Sequence, residues 1–204
     1  MREPALADEE LLVALANAGH EGADPLADPA ALAAWWAGHD TARDTARDTR
    51  QDTRHDTAPD AARLPGGPGP VPPDDALAPL RALRHVVRAA AGRHNGVDPG
   101  GPGEDEAWAT LGALALRPAV LSDGRVSLAP PRAGGLAPWL AAAGTAALLR
   151  ATARPGWRRL KACPGADCGW VFLDASRNTS RRWCDMAGCG NRAKTATFRA
   201  RRRP

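Results

Sequence analysis

The four cysteines constrain the fold of this 204-residue chain more than any other feature. They form two pairs with four residues inside each, Cys163/Cys168 and Cys184/Cys189, and fifteen residues separate the pairs. Two short loops can each direct two sulfurs at one ion, which is what a closed tetrahedral zinc site needs. The spacing therefore predicts a four-cysteine site that holds one structural Zn²⁺. Unmetallated buried thiols and a redox switch remain as alternatives, although the spacing differs from the CxxC of thioredoxin-like motifs.

A set of four cysteines fills the coordination sphere of zinc, whereas a catalytic zinc site keeps one position open and usually includes a histidine or a carboxylate. The five histidines all precede the cysteines in the sequence, and we interpret them as solvated or core residues rather than ligands. We recognise no nucleophile–base pairing, phosphate-binding loop or dinucleotide fingerprint in the sequence. We therefore do not expect an enzyme.

Charge is divided unevenly along the chain. Residues 154–204 contain 13 Lys and Arg against three acidic residues, a net charge of +10, and the preceding 153 residues contain 14 against 20, a net charge of −6. A basic end on an acidic body favours a polyanionic partner, with nucleic acid as the first candidate. A high arginine content is by itself weak evidence for nucleic-acid binding. Only two of the 27 basic residues are lysine and tyrosine is absent, and this bias is typical of GC-rich genomes.

Six basic residues of this segment are the candidate nucleic-acid contacts. A zinc-stabilised scaffold would fix their spacing, and arginine can bind phosphate bidentately or read guanine edges in a major groove. These residues are Arg177, Arg181, Arg182, Arg192, Lys194 and Arg199. The alternative is a solvated basic face without a specific partner, in which the terminal RARRRP run serves only solubility.

The sequence predicts two domains: a mainly helical (α+β) domain with a small β-hairpin over 1–153, and a small treble-clef-like zinc finger with four cysteine ligands over 154–204. Residues 11–18 form an apolar segment that is either helix or strand. Asp28 and Pro29 predict the N-cap and first residue of a helix over 30–37 that ends near Gly38. Apolar periodicity and turn signals predict three further helices and one hairpin. The helices cover 75–91, 107–116 and 136–152, and the acidic run 104–106 favours the N-terminus of the second of these. The hairpin joins 119–121 to 125–128, with Asp-Gly at its tip.

A segment of biased composition, residues 41–73, interrupts the first domain. Residues 41–56 repeat a four-residue unit (TARD, TARD, TRQD, TRHD) that has no apolar stripe. A solvated helical extension and a disordered linker are both compatible with this repeat, and we favour disorder because Thr and Asp are poor helix formers. The Pro/Gly-rich stretch 64–75 predicts a linker.

Within the finger, residues 169–174 predict a strand and residues 181–183 its return, so that a hairpin would connect the two cysteine loops. Trp170, Phe172 and Trp183 are predicted as the small core of the finger. Residues 191–203 contain no helix breaker and predict a closing helix. Ala193, Ala196 and Phe198 could supply the packing of that helix.

Motifs in this C-terminal segment closely resemble the CGNR zinc finger family. The resemblance rests on CP at 163–164, GWVFLD at 169–174, SRN at 176–178, SRRWC at 180–184 and above all CGNRAK at 189–194. In that family the finger follows an N-terminal domain called ABATE, and the body of this chain is similar in helix order and in its DPAALAAWW segment. Two features depart from the family: only Asn17 remains of an aromatic–Val–Asn–Thr element, and the TxRD repeat replaces a shorter connection.

The resemblance implies a bacterial, stress-related transcriptional regulator, so we predict a zinc-dependent DNA-binding protein whose body mediates dimerisation or senses a signal. One finger offers a small footprint, and specific binding would require a homodimer or a partner from the transcription machinery. The alternatives are a protein-interaction module that docks on an acidic partner, and RNA binding. The charged N-terminus and the lack of a membrane-length apolar run predict a cytoplasmic protein with no membrane partner.

Overall fold

A computed structural model describes residues 6–48, 74–97, 103–120, 126–130 and 135–201. Most of these residues lie in six α-helices: α1 (Leu6–Asn17), α2 (Pro29–Asp48), α3 (Ala78–His94), α4 (Glu104–Gly112), α5 (Leu136–Thr152) and α6 (Asn191–Arg201). Four short strands form two antiparallel hairpins: β1 (Arg117–Val120) with β2 (Val126–Ala129), and β3 (Leu160–Ala162) with β4 (Val171–Leu173). The mostly helical fold with a C-terminal cysteine cluster confirms the predicted fold class.

The main core lies where α1, α3 and α5 pack together. Its largest fully buried side chains are leucines, each of which stabilises the fold by about 1.5–3 kcal/mol; they include Leu12, Leu15, Leu80, Leu83, Leu140 and Leu148. Small residues on α5 allow close packing, since a Cβ on Gly144 would lie 2.4 Å from Leu83 Cδ2. The bounds of α5 match the predicted helix over 136–152.

Two arginines of α3 bind the end of α1. Arg88 Nε donates to the carbonyl oxygen of Ala16 at 2.6 Å, and Arg84 Nη1 donates to that of Ala18 at 3.2 Å. The last carbonyls of a helix have no partner within the helix, so these contacts satisfy acceptors that burial would otherwise leave unpaired. The segment 11–18, which the sequence left as helix or strand, is therefore helical up to Asn17, and α3 fixes the end of this helix.

Helix α2 begins as predicted but extends further. Asp28 Oδ1 accepts hydrogen bonds from the backbone N–H groups of Ala30 and Ala31, at 2.9 and 2.8 Å, which confirms the N-cap. The helix continues past Gly38 to Asp48, so the predicted end at Gly38 is wrong, and so is disorder for 41–48. Once a helix is nucleated, its propagation through further residues costs little. Residues 49–56 and most of the predicted linker lie outside the described residues.

The remaining elements of the body differ from prediction mainly at their ends. A short 3₁₀ turn (Asp74–Leu77) precedes α3, with proline in the first turn of α3. Helix α4 begins at Glu104, in the acidic run predicted to favour its N-terminus. It ends at Gly112, before the predicted 116. The β1–β2 hairpin starts at Arg117, and the predicted Asp-Gly tip lies outside the described residues. Among the described helices, none is long and apolar enough to cross a membrane.

The β3–β4 hairpin carries the first cysteine pair in its loop, and this corrects the predicted topology. Residues 181–183 form no strand; β4 pairs instead with β3, in the register Leu160↔Leu173 and Ala162↔Val171. Leu160, Ala162 and Val171 belong to the main core of the body. The segment before the first cysteine is the one that pairs with β4, because it supplies three consecutive buried residues.

Side chains of the body bind the outer edges of this two-stranded hairpin. At the β4 edge, the Asn17 side chain accepts from the Val171 N–H and donates to the Val171 carbonyl, both at 2.8 Å. At the β3 edge, His94 Nδ1 lies 2.8 Å from the Leu160 carbonyl oxygen, and Asn95 donates to the Ala162 carbonyl at 2.8 Å. Strand edges present unpaired N–H and C=O groups, so these contacts fix the hairpin on the body.

Helix α6 differs from the other helices in its packing. None of its residues is buried, and Phe198 is 57% exposed. The buried packing predicted for Ala196 and Phe198 is therefore not observed, because both side chains are exposed. The helix extends from the second cysteine loop rather than across the body.

Candidate metal centre and its basic surface

The four cysteine sulfurs lie together in one cluster. All four Sγ atoms are within 4.8 Å of one another, with 3.6 Å between Cys168 and Cys184 and 3.7 Å between Cys184 and Cys189. A regular tetrahedron with zinc–sulfur bonds of about 2.3 Å has sulfur–sulfur edges of about 3.8 Å. The geometry therefore fits one structural zinc ion, as the spacing of the cysteines predicts.

The first cysteine loop is shaped by tight backbone turns. The Cys163 N–H donates to the Trp170 carbonyl at 2.9 Å, which extends the β3–β4 ladder, and the Cys168 N–H donates to the Gly165 carbonyl at 3.0 Å. A Cβ on Gly165 would lie 3.2 Å from Cys189 Sγ. Glycine at this position lets the first loop approach a sulfur from the second.

The second cysteine loop is a π-helical turn, Met186–Gly190, that leads directly into α6. Asp185 caps this turn by accepting hydrogen bonds from the Ala187 and Gly188 N–H groups, and its carbonyl accepts from Gly190 N at 3.0 Å. A Cβ on Gly190 would lie 2.5 Å from Met186 Sδ. A side chain at position 190 would therefore displace the end of the Met186 side chain that packs over the glycine.

The chemistry of the four thiols also fits a cation. Burial raises the pKa of the Cys184 thiol well above its ordinary value, and the three neighbouring thiols raise it further. Burial likewise raises the pKa of Cys168. Burial also acts to raise the pKa of Cys163, but hydrogen bonds from the backbone N–H groups of Cys184 and Gly165 outweigh it, so that the pKa is lowered. Without a cation, four sulfurs this close cannot all be thiolates, because their negative charges repel one another. Zn²⁺ binds all four as thiolates.

Arg192 contacts one of the zinc ligands. Its Nη2 donates to Cys189 Sγ at 2.9 Å. A zinc ion with four thiolates carries a net charge of −2, which a guanidinium on a sulfur partly offsets. Such contacts to the ligands orient them and tune the affinity for the metal. The arginine of the CGNR motif therefore belongs to the immediate surroundings of the metal.

A buried ion pair that was not predicted from the sequence joins β3 to the residue that follows β4. Lys161 Nζ lies 2.7 Å from Asp174 Oδ2, and it also donates to the carbonyls of Thr179 and Arg181 at 2.7 and 3.0 Å. The Lys161 and Asp174 side chains are 7% and 0% exposed. Asp174 further accepts hydrogen bonds from the Ser176 and Arg181 N–H groups, both within 3.0 Å. This pair holds the segment before the second cysteine loop against β3.

The hydrogen bonds to Asp174 outweigh the effect of its burial on its ionisation. Burial raises the pKa of the carboxyl group, but hydrogen bonds from Lys161 and Ser176 lower it more, to about 2. The carboxylate is therefore ionised at neutral pH. The sequence contains a weak indication that Lys161 has a special role, since it is one of only two lysines among 27 basic residues.

The structure divides the six predicted nucleic-acid contacts by their surroundings. Arg181 donates to the carbonyls of Trp183 and Cys184, and its guanidinium lies 4.8 Å from the Phe172 ring centroid. Arg192 is held at the metal centre, and Arg182 lies over the Trp183 ring at 5.9 Å. The others are exposed and form no ion pair with any described residue: Arg177, Lys194 and Arg199. Contact with nucleic acid stays a prediction for all six.

The aromatic residues of the finger form a small core, as predicted. Phe172 is buried together with Cys163 and Cys189, and Trp170 and Trp183 pack against them. In the part of the chain that the structure describes, the cluster of possible metal ligands consists of cysteines alone. His94 instead packs edge-on against Trp157, and His20 against Trp170, with ring centroids 5.1 Å apart in both pairs.

The fold and the site together define a zinc-finger protein with four cysteine ligands and a mostly helical body. Residues 159–202 match the family model described as CGNR zinc finger. The match covers β3, β4, both cysteine loops and α6, and it supports the resemblance for the finger alone. A search of curated proteins finds no match to the chain.

Proposed function

We propose that this protein binds duplex DNA through its zinc finger and acts as a bacterial, stress-related transcriptional regulator in the cytoplasm. Zinc would have a structural role, in which it holds the two cysteine loops and so positions α6. The proposal is supported by the match of 159–202 to a zinc-finger family, by the basic charge of the segment and by the exposure of α6.

The observation that carries the proposal is the surface of α6. This helix of 11 residues has no acidic side chain and no buried residue, and it carries four exposed basic side chains: Arg192, Lys194, Arg199 and Arg201. A helix that is polar on all sides gains little from packing within its own chain. A helix that is attached rigidly at the metal centre and exposed along its length can bind in a groove of a partner molecule.

The dimensions and charge placement of α6 suit a DNA groove. The helix is about 16 Å long at 1.5 Å per residue, and the major groove, about 12 Å wide, admits an α-helix. At 100° per residue, Arg192 and Arg199 share one side, and Lys194 and Arg201 lie nearly opposite. Basic groups on opposite sides of a helix can each approach one of the two phosphate backbones that border the groove.

The body has a supporting role in this proposal. It would mediate dimerisation or sense a signal, and a dimer would give two fingers and a larger footprint. The β3–β4 hairpin packs into the core of the body, so the base of the finger shares its buried contacts with the body.

Salt dependence tests the proposal with the full-length, zinc-loaded protein. If about five phosphates are contacted, log K for a mixed-sequence duplex should fall against log salt with a slope of about −4 to −5 in fluorescence anisotropy titrations. Arg199→Gln should reduce the magnitude of that slope by about 0.9, since one phosphate contact is lost. Absence of measurable duplex binding at low salt would refute DNA binding.

A matched control distinguishes the loss of a phosphate contact from the loss of overall positive charge. Arg93 lies on α3, where it pairs with Glu104 at 2.7 Å, and Arg93→Gln removes the same charge from the body. An equal loss of slope in Arg93→Gln and Arg199→Gln would show that only overall charge matters. Duplex RNA of the same sequence serves as competitor, and stronger binding to RNA would favour the alternative of an RNA-binding finger.

A second candidate function is supported by apolar exposure beside α6. Met186 and Phe198 are 48% and 57% exposed, and aromatic and methionine side chains are enriched at protein interfaces. An acidic protein of the transcription machinery could bind both the apolar and the basic side chains. In that case Phe198→Ala would weaken binding to the protein partner, with little change in affinity for a duplex.

A further inference from the structure

We propose that a cavity between α1, α2 and the finger binds an organic cation with an apolar or aromatic body, and that the bound cation holds the finger against the body. This inference goes beyond the proposed function and does not require nucleic-acid binding. It rests on the shape of the cavity, on its aromatic walls and on one carboxylate at its rim.

The cavity has a volume of about 470 Å³. That volume falls within the range of about 300–1,000 Å³ that is usual for small-molecule sites. One face of α1 supplies the floor, because the residues that line the cavity recur at helical spacing from Glu10 through Val13 and Ala14 to Asn17. Trp35 and His39 of α2 form one wall, and Trp170 and Leu173 of the finger form the other.

The aromatic walls are held in place by neighbouring rings. Trp35 and His39 are stacked, with ring centroids 5.3 Å apart and an interplanar angle of 9°. Trp170 is fixed on the opposite side by an edge contact with His20 at 5.1 Å. Indole faces attract cations through their negative π surface, and the attraction is stronger for tryptophan than for other aromatic residues.

Glu10 determines the charge that the cavity would accept. Its side chain is exposed at the cavity and forms no ion pair with any residue that the structure describes. The other lining groups are apolar or neutral, apart from His39. Two indoles, an apolar floor and one exposed carboxylate form a site for a cation that also carries apolar surface, rather than for a phosphate or a carboxylate.

The position of the cavity links its occupation to the finger. Two of its lining residues, Trp170 and Leu173, flank or belong to β4, and Asn17 binds the edge of that strand through Val171. A ligand in the cavity contacts both α1 and the finger only when the finger is docked. Binding therefore stabilises the docked arrangement by mass action.

The test uses benzyltrimethylammonium as probe, with its uncharged isostere neopentylbenzene and the anion phenylacetate for comparison. Full-length, zinc-loaded protein is titrated with each probe by NMR, and the indole N–H signals of Trp35 and Trp170 are followed. For a ligand this small we expect a Kd in the low-millimolar range for the cation. The isostere should bind more weakly, and the anion should not shift these two signals.

Two variants assign the site, each with a matched control. Glu10→Gln should weaken binding of the cation roughly threefold, as loss of an exposed ion pair does, and leave the isostere unaffected; Glu106→Gln, on the exposed face of α4, should change neither. Trp35→Ala should weaken binding of the cation about tenfold or more, whereas Trp108→Ala should leave this binding unchanged. Glu10→Gln remains informative if Trp35→Ala fails to fold, because Glu10 lies on the surface.

Zinc transfer to a colorimetric chelator reports the link to the finger. If release requires undocking, a cation concentration of three times Kd should slow it about fourfold, from the factor 1 + [L]/Kd. Equal binding of cation and isostere, equal effects of Glu10→Gln and Glu106→Gln, or no shift of either indole signal at millimolar cation would each overturn the proposal. An unchanged rate of zinc release with saturated cation would overturn the link to the finger.

Discussion

Replacement of Asp174 by asparagine isolates the contribution of the buried ion pair in the finger. Asparagine has nearly the same shape as aspartate, so the change removes charge without creating a cavity. It leaves Lys161 almost fully buried, with the carbonyls of Thr179 and Arg181 as its remaining partners. It also places an amide where Asp174 now accepts several hydrogen bonds.

The expected cost follows from burial rather than from distance. Breaking a buried pair by removal of one partner destabilises a protein by about 3–5 kcal/mol, because a buried charge is left uncompensated. Lys161 keeps two carbonyl acceptors, so we expect about 3 kcal/mol, the lower end of that range. For a small domain with a total stability of about 5–15 kcal/mol this is a large fraction.

The chain provides a matched control for this change. Arg93 and Glu104 form an ion pair at the same distance, 2.7 Å, but their side chains are 48% and 30% exposed. Glu104→Gln should therefore cost only about 0.2–1 kcal/mol. Urea denaturation of zinc-loaded protein, followed by circular dichroism, gives the free energy of unfolding for the wild type and for each variant.

The pH dependence of the cost provides a further check. The pKa of Asp174 in the folded state is lowered to about 2, below its unfolded value of about 3.9. Its contribution is therefore fully present above about pH 4 and is lost as pH falls toward 2. The difference in stability between wild type and Asp174→Asn should be constant from about pH 6 to 8. If Asp174→Asn costs no more than Glu104→Gln, the reasoning from burial is wrong.

Three further changes test the metal centre and the docking of the finger. Cys184→Ser should reduce the zinc content from one ion per chain to almost none and unfold the second cysteine loop, since metal binding supplies folding energy there; atomic absorption and circular dichroism measure both. Asn17→Ala should cost about 1–3 kcal/mol because two backbone groups of Val171 lose their partner, and hydrogen exchange at the Val171 amide should accelerate. Arg192→Gln should weaken zinc binding about 10- to 100-fold, as measured by competition with a chelator.

Two further variants serve as controls for Asn17→Ala and Arg192→Gln. Asn178→Ala, at an exposed position in the finger, should leave stability unchanged, and Arg199→Gln should leave zinc affinity unchanged because it lies two turns away on α6. Cys184→Ser that retained zinc would contradict the four-cysteine assignment. Zinc affinity that is equal in Arg192→Gln and Arg199→Gln would contradict a role for Arg192 at the metal.

The helices with strong local signals were predictable from the sequence. Asp28 and Pro29 fixed the start of α2, and apolar residues at helical spacing indicated α3 and α5. The end of α2 was not predictable in the same way. Propensity favoured disorder for the TxRD repeat, but a helix already nucleated by the preceding apolar turns extends through 41–48 at little cost.

Strand pairing in the finger could not be predicted, because it depends on contacts distant in sequence. Residues 181–183 and 160–162 were both close enough along the chain to pair with β4. Contacts with the body determine that 160–162 pairs with β4. The body buries Leu160 and Ala162 in its core, and its Asn17 binds the other edge of β4. Neither contact leaves a local pattern in the sequence.

The sequence by itself determined the metal centre: two cysteine pairs at equal spacing, with glycines beside them, are enough to bring four sulfurs to one ion, since each loop acts over a few residues. The tertiary structure alone decided what surrounds that centre. It placed Arg192 on a zinc ligand, buried Lys161 with Asp174 and left α6 exposed. The environment of a charged side chain depends on packing between distant segments, whereas the ability of four thiolates to hold zinc depends on their spacing alone.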